Sequence, residues 1–545
     1  MKVLKFGGSS VASSENIKKV INIIIATSKK QKIIVVVSAF GKTTNALIEG
    51  AHLAQNKNSG YKEIIQKLEK HHFNVIEELI PTEQQPTIVA HIKELFNQLE
   101  TIYKGCYLLE ELSPKTLATI SSFGELLSAS IIAEISNLKI DTIYKDSRDL
   151  IVASEMYLDA VVDFPATIKN ITDYFKDVTA HVTLMPGFVA RTNLGQTTTL
   201  GRGGSDYSAA IYAAALDAKE LQIWTDVSGM FTSNPSIVKQ AFAIPHISYH
   251  EAMELSHFGA KVIYPPTIQP VLQKEIPIVI KNTFQPEDIG TRITKDTHTN
   301  NQPVKGISYI ENITLITLGG TGMVGMPGFS KRLFEILSLH EINITLITQA
   351  SSELSICIGV ENKDAYRAQK LIDSTFEYEI HQQKVRPVIL EQDLCIIALV
   401  GDNMKNHQGL SGKMFSSLGK NNVNIRAIAQ GASEKNISAV INKKDAKKAL
   451  NTLHEQFFEE KIKQLNLFVT GVGNVGERFL AQIHQQKKYL KKHLKLSIKV
   501  VGISNSRKMF FDENGIDLEN WKKPLENGTP TSLIAFFEKV KSKHP

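Results

Sequence analysis

The sequence predicts an α/β protein in three parts, and three observations lead to this prediction. In the first part, short branched apolar runs alternate with helix-period stretches, as in a sheet covered by helices. In the second part, one block of sequence is followed by a copy of itself at a constant offset. In the third part, a G-x-G-x-x-G motif stands between a strand pattern and a helix pattern. We expect the parts at residues 1–293, 304–464 and 465–545.

The first part has the pattern of a mainly parallel sheet with helices between its strands. Residues 33–37 are a continuous run of Ile and Val, typical of a strand that is buried on both faces of such a sheet. Similar runs, and the helix-period stretches between them, lie at residues 182–185, 221–224, 276–280, 125–135 and 208–215. The polar residues 294–303 lack apolar periodicity and are interpreted as a linker.

The second part contains an internal repeat with an offset of 81 residues, as between Gly328 and Gly409. In the same register, Phe334, Leu337, Asn343, Gln349 and Glu353 recur as Phe415, Leu418, Asn424, Gln430 and Glu434. Each copy has the order strand, glycine loop, amphipathic helix, Asn-containing turn and strand. Two copies are too few for a solenoid, so we expect paired βαββαβ modules.

The third part opens in the manner of a dinucleotide-binding fold. Residues 467–470 form a strand pattern, and Gly471, Gly473 and Gly476 follow it at the start of a helix pattern. A second strand pattern covers residues 498–503. The strand before the glycines and the helix after them are the context that this motif needs. We therefore expect a Rossmann-type segment here, incomplete because only about 80 residues follow residue 465.

Composition and charge exclude several classes of protein. The net charge of +7 is small against 62 basic and 55 acidic residues, and no dense basic block suggests nucleic-acid binding. Cys106, Cys357 and Cys395 are far apart, which argues against a disulfide framework or a zinc site and fits a reducing compartment. The chain begins directly with a strand pattern and shows no leader or membrane span. We expect a cytoplasmic protein without a bound structural metal.

The segment from Lys5 to Ser10, Lys-Phe-Gly-Gly-Ser-Ser, follows the first predicted strand directly. Paired glycines let backbone N–H groups approach a phosphate, and the start of the following helix adds a favourable dipole. Lys5 would supply a point charge for a phosphoryl group in transfer. A plain strand-to-helix turn is the alternative. The segment is neither a Walker A loop nor a protein-kinase glycine loop.

A second cluster, Thr-Leu-Gly-Arg-Gly-Gly-Ser-Asp, covers residues 199–206 and leads into a helix of small residues. Its glycines leave the backbone free to approach a ligand, while Arg202 and Asp206 bring opposite charges into one site. The alternative is a capped helix with Ser205 or Asp206 at its N-cap. A cap does not need the preceding Gly-Arg-Gly-Gly, so we favour a functional site.

Six motifs in order carry a resemblance to a known family: KFGGSSV, VVVSAFGKTTN, SSFGELLSA, TLGRGGSDYSAA, WTDVSGMFTSNP and FGAKVIYPPT. Over residues 1–465 the chain resembles the aspartokinases of the amino-acid-kinase family. The resemblance implies an α/β/α sandwich kinase domain followed by tandem ACT modules. It also implies transfer of phosphate from ATP, with Mg²⁺, to the side-chain carboxylate of L-aspartate. That reaction forms 4-phospho-L-aspartate, the first step toward lysine, threonine and methionine.

The resemblance also implies which residues bind the substrates. Ser38 and Thr44 look like aspartate contacts, Glu125 resembles the carboxylate that meets the amino group, and Arg202 resembles the guanidinium that holds a substrate carboxylate. A bidentate Arg–carboxylate pair is the physical reason for Arg at that position. Asp206 resembles the acid that orients the basic groups around the phosphates. The implied ATP contacts are Lys5, Gly8, Ser9, Thr225, Asp226 and Lys261. The expected catalytic residues are Lys5, Arg202 and Asp206.

The chain departs from the aspartokinase pattern in one loop. Phe231, Asn234 and Ser236 stand where the family usually has tyrosine, aspartate and arginine. This loss of polar contacts leads us to expect weaker or altered nucleotide binding.

The repeated modules resemble feedback sensors for a small amino acid, threonine or lysine. The resemblance implies that Gln349 and Gln430, with Asn343 and Asn424, contact the effector, and that the modules form a homo-oligomer. These side chains could instead satisfy backbone groups of turns.

The third part resembles the opening of a homoserine dehydrogenase, in LNLFVTGVGNVGERF, VVGISNSRKM and DENGIDLENW. Gly471, Gly473 and Gly476 would then face the pyrophosphate of NAD(P). The absence of an acidic residue among Ser504–Arg507 leaves NADP open. Because the segment is short, we expect no dehydrogenase activity and a tail that is at best partly folded.

Three alternatives to a single aspartate kinase are open. One is a kinase for another amino acid such as glutamate. Another is a non-catalytic amino-acid sensor built on the ACT modules. The third is a bifunctional aspartokinase/homoserine dehydrogenase, if another chain supplies the rest of the dehydrogenase.

Overall fold

The computed structural model describes residues 1–257, 263–295, 302–349, 354–431, 435–459, 463–494, 496–512 and 515–543. The chain forms two compact units, Met1–Phe457 and Phe458–Pro545. The first unit contains the kinase-like part and the repeat.

Ten strands and nine α-helices build the kinase-like part. The strands are β1 (Lys2–Phe6), β2 (Ile33–Val37), β3 (Thr142–Tyr144), β4 (Val182–Pro186), β5 (Val189–Arg191), β6 (Thr197–Thr199), β7 (Leu221–Thr225), β8 (His246–Ser248), β9 (Ile278–Asn282) and β10 (Thr291–Thr294), within the described residues. The helices of the same residues are α1 (Ser14–Ser28), α2 (Thr43–Gln55), α3 (Tyr61–Leu79), α4 (Gln85–Leu109), α5 (Pro114–Asn137), α6 (Phe164–Lys176), α7 (Gly204–Ala215), α8 (Tyr249–His257) and α9 (Gln269–Gln273).

Eight of these strands form one sheet in the order β3-β4-β2-β1-β7-β9-β10-β8. The strands from β3 to β9 pair in parallel, and β10 runs antiparallel to β9. Successive residues of a strand face opposite sides of a sheet. Leu4 accordingly packs into the core formed with α1–α5, whereas Val3 packs into the core formed with α6–α9. The predicted α/β/α sandwich is confirmed.

Helix α5 is the one described helix that is long and apolar enough to cross a membrane. Its most apolar stretch is 83% buried inside the protein, against β4, β3 and α2. Its burial among other elements of the core accounts for its composition, so it is a core helix.

The repeat forms a second, wholly antiparallel sheet. Its strands are β11 (Gly306–Gly319), β12 (Ile344–Gln349), β13 (Ser355–Glu361), β14 (Arg386–Val400), β15 (Ile425–Gln430) and β16 (Asn436–Asn442). Its helices are α10 (Phe329–Leu339), α11 (Ala365–Thr375), α12 (Glu377–His381), α13 (Leu410–Lys420) and α14 (Ala446–Phe458). The strand order is β12-β13-β11-β14-β16-β15. The pairs β12/β15, β13/β16, α10/α13 and α11/α14 each begin 81 residues apart, the offset of the sequence repeat.

The second unit contains β17 (Lys463–Thr470), α15 (Asn474–His493), β18 (Leu496–Ser504), β19 (Lys508–Phe511), α16 (Lys522–Glu526), β20 (Thr529–Pro530) and α17 (Leu533–Lys543). Strands β17 and β18 are parallel and joined through α15, as a βαβ unit requires, whereas β19 and β20 add antiparallel. Leu480, Val500, Ile503 and Trp521 belong to a core of its own. The described residues thus form a folded unit, and the expectation of a tail that is at best partly folded is wrong for them.

Candidate active site

A pocket of about 260 Å³ lies at the carboxyl ends of β1 and β2. Strand β1 has β2 as its neighbour on one side and β7 on the other, so the strand order changes direction at β1. Open α/β sheets bind ligands at such points, beyond the carboxyl ends of the strands. The lining residues are Lys5, Ser38, Thr44, Glu125, Phe188, Gly201, Gly203, Gly204, Ser205 and Asp206. The structure therefore brings together five side chains that the sequence pointed to, from four separate segments of the chain.

Lys5 and Asp206 form an ion pair at one wall of this pocket. The Nζ of Lys5 lies 2.7 Å from Oδ1 of Asp206, and the two side chains are only 10% and 13% exposed. Lys5 is the penultimate residue of β1, just before the glycines. Asp206 is in the first turn of α7, where the helix dipole favours a negative charge. The pair holds a desolvated ammonium group in a fixed position at the end of the central strand.

Glu125 provides a second charge-bearing group in the lining of the same pocket. This side chain of α5 is 5% exposed, and burial raises its pKa to about 8. The backbone N–H of Ala39 and the charge of Lys5 lower the pKa in part. Its Oε2 atom has no hydrogen-bond partner among the described residues. A buried carboxylate oxygen without a partner is costly, and a cationic ligand would remove that cost.

Helix α5 also fixes the loop that carries Ser38 and Thr44. The Ser128 hydroxyl donates to the carbonyl oxygen of Ser38 over 2.9 Å. A Cβ atom on Gly124 would lie 2.9 Å from the Cβ of Ala39, so only glycine permits this approach of helix and loop. The motif SSFGELLSA thus contains a residue for the site and two residues that position the loop facing it.

The glycines after β1 have a packing role as well. A Cβ atom on Gly8 would lie 3.0 Å from the carbonyl oxygen of Gly41, and the Gly41 N–H donates to the carbonyl oxygen of Gly8 over 3.1 Å. Ser9 is exposed on the short 3-10 helix Gly8–Val11. Among the described residues neither Gly8 nor Ser9 lines the pocket, so both lie beside it on the turn that leaves β1.

Arg202 lies next to the pocket between two glycines in the left-handed conformation, Gly201 (φ +69°) and Gly203 (φ +71°). Its guanidinium carbon is 5.9 Å from the ring centroid of Tyr264. The residues that line the pocket in the described chain include its neighbours but not Arg202 itself. Helix α7 begins at Gly204 with Gly203 as its N-cap, so the alternative of Ser205 or Asp206 as N-cap is wrong.

Two of the expected nucleotide contacts, Thr225 and Asp226, lie at the end of β7. Thr225 ends this strand, and its hydroxyl donates to Oδ1 of Asp226 over 3.2 Å. The Gly7 N–H donates to the carbonyl oxygen of Trp224 over 3.1 Å, which ties the glycine turn to the same strand end. Lys261, the remaining expected contact, lies outside the described residues.

The loop in which the chain departs from the family pattern contacts the repeat. The side-chain oxygen of Asn234 accepts hydrogen bonds from the N–H and hydroxyl of Ser236, and Phe231 pairs with Ala243. Between them, the Thr232 hydroxyl lies 2.9 Å from Nε2 of His454 on α14, both residues being buried. A second contact between the two parts joins the Ser248 hydroxyl to the Asp402 carboxylate. Sequence reasoning missed these contacts. Thr232 stands in the motif WTDVSGMFTSNP, but nothing in that motif indicates a partner in the repeat.

Sequence reasoning also missed Phe188 and Tyr264. Phe188 lines the pocket with φ +67°, a conformation that a bulky residue adopts only under constraint. Its place directly after the strand and Gly187 is a signal that could have identified it.

The two modules of the repeat differ at their equivalent glutamines. Gln349 lines a cavity of about 320 Å³ together with Met323, Gly325, Met326, Pro327, Gly328, Phe329, Ser330 and Ile356. In the second module, Oε1 of Gln430 accepts a hydrogen bond from the Ser411 hydroxyl over 3.1 Å. Ser411 is the counterpart of Ser330, 81 residues later. Asn343 and Asn424 are exposed in the turns before β12 and β15.

Comparison with known proteins identifies the family. The model of the amino acid kinase family matches residues 1–282, more than half of the chain. A crystal structure of Escherichia coli aspartokinase III in complex with aspartate and ADP superimposes with a TM-score of 0.71 at 29% identity, covering 84% of this chain and all of that one. The chain belongs to the aspartokinases of the amino acid kinase family. The ACT domain model matches residues 316–376 and 397–457 of this aspartokinase, which are again 81 residues apart.

The curated relatives of this aspartokinase are longer than it is. The bifunctional aspartokinase/homoserine dehydrogenase of Haemophilus influenzae is 38% identical over 555 residues, which cover 100% of this chain and 67% of the relative. The chloroplastic bifunctional enzyme 1 of Arabidopsis thaliana is 34% identical over 99% of this chain and 60% of the relative. The chain therefore spans 60–67% of the length of these two relatives, and the resemblance seen in the sequence is confirmed.

Proposed function

We propose that this aspartokinase transfers the γ-phosphoryl group of ATP to the side-chain carboxylate of L-aspartate and forms 4-phospho-L-aspartate. The observation that carries the proposal is the presence, in one pocket, of the Lys5–Asp206 ion pair and of the buried carboxylate of Glu125, whose Oε2 atom has no hydrogen-bond partner among the described residues. The first group suits a phosphoryl group and the second suits an ammonium group. This product would enter the synthesis of lysine, threonine and methionine.

The chemistry needs positioning and charge more than proton transfer. The aspartate side chain is already an anion at neutral pH, so no general base is required. The difficulty is to bring two anions together in line, and a preorganised positive charge lowers that barrier. Lys5 supplies this charge, and Asp206 keeps it in place. Glu125 would bind the substrate's amino group, and Arg202 its carboxylate, so that the reacting side chain points toward Lys5.

Magnesium fits this site as an ion carried by the nucleotide. Among the described residues there is no group of three or more His, Cys, Asp or Glu side chains placed to hold a metal. Magnesium commonly binds through one or two carboxylates together with substrate phosphates and water. Asp206 and Asp226 are the carboxylates near the predicted phosphate path. When bound, Mg²⁺ would neutralise phosphate charge, while the side chains of this chain orient the acceptor.

The proposal is tested by measuring ADP release with aspartate and with glutamate as the acceptor. One extra methylene in a fitted pocket changes kcat/KM by about 10–200-fold. We expect aspartate to be preferred by at least about tenfold. Equal rates with glutamate would favour the kinase for another amino acid. Absence of ADP release with either acceptor, in folded protein, would favour the non-catalytic sensor.

We further propose that threonine or lysine binds the cavity of the first ACT module through Gln349. Gln430 already accepts the Ser411 hydroxyl, so the two glutamines should contribute unequally. We expect Gln349→Ala to raise the half-inhibitory effector concentration about tenfold, the effect of one lost hydrogen bond of about 1.4 kcal/mol. Gln430→Ala is the matched control and should change it less than about threefold. The reverse order, or activity unaffected by both amino acids, would contradict this proposal.

The ACT modules are also the proposed site of homo-oligomer formation. Strands β12 and β15 are the two end strands of the sheet order and lie close to each other, and each exposes an isoleucine at the equivalent position, Ile347 and Ile428. Exposed apolar edge strands tend to pair with another chain. Light scattering should therefore give at least a dimer, and a purely monomeric chain at micromolar concentration would contradict the assignment.

A cytoplasmic location is proposed from the three free cysteines.

For the second unit, NAD(P) binding at Gly471, Gly473 and Gly476 stays a proposal. Gly471 has φ +85°, and a Cβ on Gly476 would lie 2.4 Å from the Gly471 carbonyl oxygen, so the close turn supports it. The absence of dehydrogenase activity in this chain stays a prediction, as does the bifunctional alternative.

A further inference from the structure

We propose that Tyr264 is a positioning residue that holds the Arg202 guanidinium beside the pocket and thereby sets the affinity for the amino-acid substrate. This inference rests on the proposed function, in which Arg202 binds a substrate carboxylate. Tyr264 stands in the motif FGAKVIYPPT, but the family resemblance gave it no role in substrate binding.

The first support is the contact between the two side chains. The guanidinium carbon of Arg202 is 5.9 Å from the centroid of the Tyr264 ring, within the range of a cation–π interaction. Both side chains are partly exposed, and Tyr264 is 38% exposed. A guanidinium group stacks well on an aromatic face because it is planar and weakly hydrated.

The second support is the fit of the backbone around Arg202. Gly203 adopts φ +71°, and a Cβ atom there would lie 2.7 Å from the Cβ of Tyr264. The glycine loop that carries Arg202 therefore lies directly against Tyr264, with no room for a side chain between them. The close approach is thus one reason for a glycine at position 203.

The third support is that Tyr264 itself is firmly held. Its carbonyl oxygen accepts hydrogen bonds from the N–H and hydroxyl of Thr267, over 2.9 and 2.6 Å, and Thr267 is buried. Tyr264 precedes the 3-10 helix Pro265–Ile268, whose two prolines restrict the backbone. This short helix packs on α7, the helix that carries Asp206. Tyr264 thus connects Arg202 to the same rigid element as the ion pair.

The contact between Tyr264 and Arg202 affects the conformational entropy that is lost when the substrate binds. A free arginine side chain loses rotamer freedom when it binds a carboxylate, and pre-ordering on a ring reduces that loss. Tyr264 is not among the residues that line the pocket in the described part of the chain, whereas Lys5 and Glu125 are, so the chemical step and ATP binding should be little affected.

The test compares Tyr264→Leu, which removes the aromatic face, with Tyr264→Phe, which keeps it. We expect Tyr264→Leu to raise the KM for aspartate about threefold to fivefold, with kcat and the KM for ATP within about twofold of the wild type. Tyr264→Phe should stay within about twofold for all three constants. In an Arg202→Ala background, Tyr264→Leu should add no further change, since coupled residues are not additive.

Three outcomes would overturn the inference: an unchanged KM for aspartate in Tyr264→Leu, an equal loss in Tyr264→Phe, or a full further loss in the Arg202→Ala background. If Tyr264→Leu does not fold, Tyr264→Met replaces it as the second non-aromatic variant. Aspartate binding is also measured by calorimetry without ATP, where the same order of variants is expected. Failure of the proposed function would be distinguishable, because the wild type itself would then neither bind aspartate nor release ADP with it.

Discussion

Lys5→Ala should lower kcat by about 10³-fold or more at saturating ATP and aspartate. Removing one preorganised group that stabilises charge in a transition state typically costs 10²–10³ in rate, and a cation aimed at a transferring phosphoryl group is worth about 10³–10⁵. Lys5 is such a group, because it is almost buried at the end of β1 and held 2.7 Å from Asp206. Steady-state ADP release measures the loss.

Lys2→Ala is the matched control for this experiment. Lys2 begins the same strand and also pairs with a carboxylate, Glu220, over 2.9 Å, but Glu220 pairs with Arg292 as well and lies away from the pocket. Its loss should leave kcat within about twofold. Because Lys5→Ala leaves Asp206 buried without its cation, the thermal midpoint is recorded alongside. Turnover above one tenth of wild type in folded Lys5→Ala would contradict the role of Lys5.

Glu125→Gln should raise the KM for aspartate about 10²-fold while sparing the KM for ATP. A buried hydrogen bond between two charged groups is worth about 1.5–3 kcal/mol, and each 1.4 kcal/mol is a factor of ten. The amide keeps the shape of the side chain but loses the charge that meets the substrate's ammonium group. Glu134→Gln, an exposed position on the same helix, is the control and should leave both KM values unchanged. Unchanged aspartate affinity in Glu125→Gln would contradict the assignment.

The same carboxylate predicts a pH dependence. Burial raises the pKa of Glu125 to about 8, so the unliganded protein carries it largely protonated at neutral pH. Substrate ammonium needs the ionised form, and kcat/KM for aspartate should therefore rise with pH through about 8. Glu125→Gln should lack this rise. Because the folded pKa is above the unfolded value, ionisation of Glu125 opposes folding, and stability is lost as pH increases from about 4.5 to 8. Glu125→Gln should thus melt higher than wild type at pH 9 and similarly at pH 5.

The fold was largely predictable from the sequence because its signals are periodic. The run of Ile and Val at β2 is buried on both faces, and the offset of 81 reappears in the starts of the paired strands and helices. The lining of the pocket was predictable where a charged residue stands among glycines at the end of a strand, as Lys5 and Asp206 do. Glu125 needed the family motif, since a single acid in the middle of a largely apolar helix has no distinctive pattern by itself.

Other features depend on contacts between distant segments, which one sequence does not encode in any local pattern. The Thr232–His454 hydrogen bond joins residues that are 222 positions apart. Gln430 accepts a hydrogen bond from Ser411 whereas Gln349 lines a cavity with Ser330, although the two modules have the same residues at these positions. Arg202 was expected in the pocket, but its side chain lies over Tyr264, which only the folded chain brings near.

Trapping of the product with hydroxylamine tests the central claim most directly. An acyl phosphate reacts with hydroxylamine to give a hydroxamate, and mass spectrometry shows which carboxylate of aspartate carries it. Incubation of the chain with ATP, Mg²⁺, aspartate and hydroxylamine should give the side-chain hydroxamate of aspartate, in an amount that Lys5→Ala reduces about 10³-fold. No hydroxamate from folded wild-type protein, or one formed on the α-carboxylate, would contradict the assignment of this chain as an aspartate kinase.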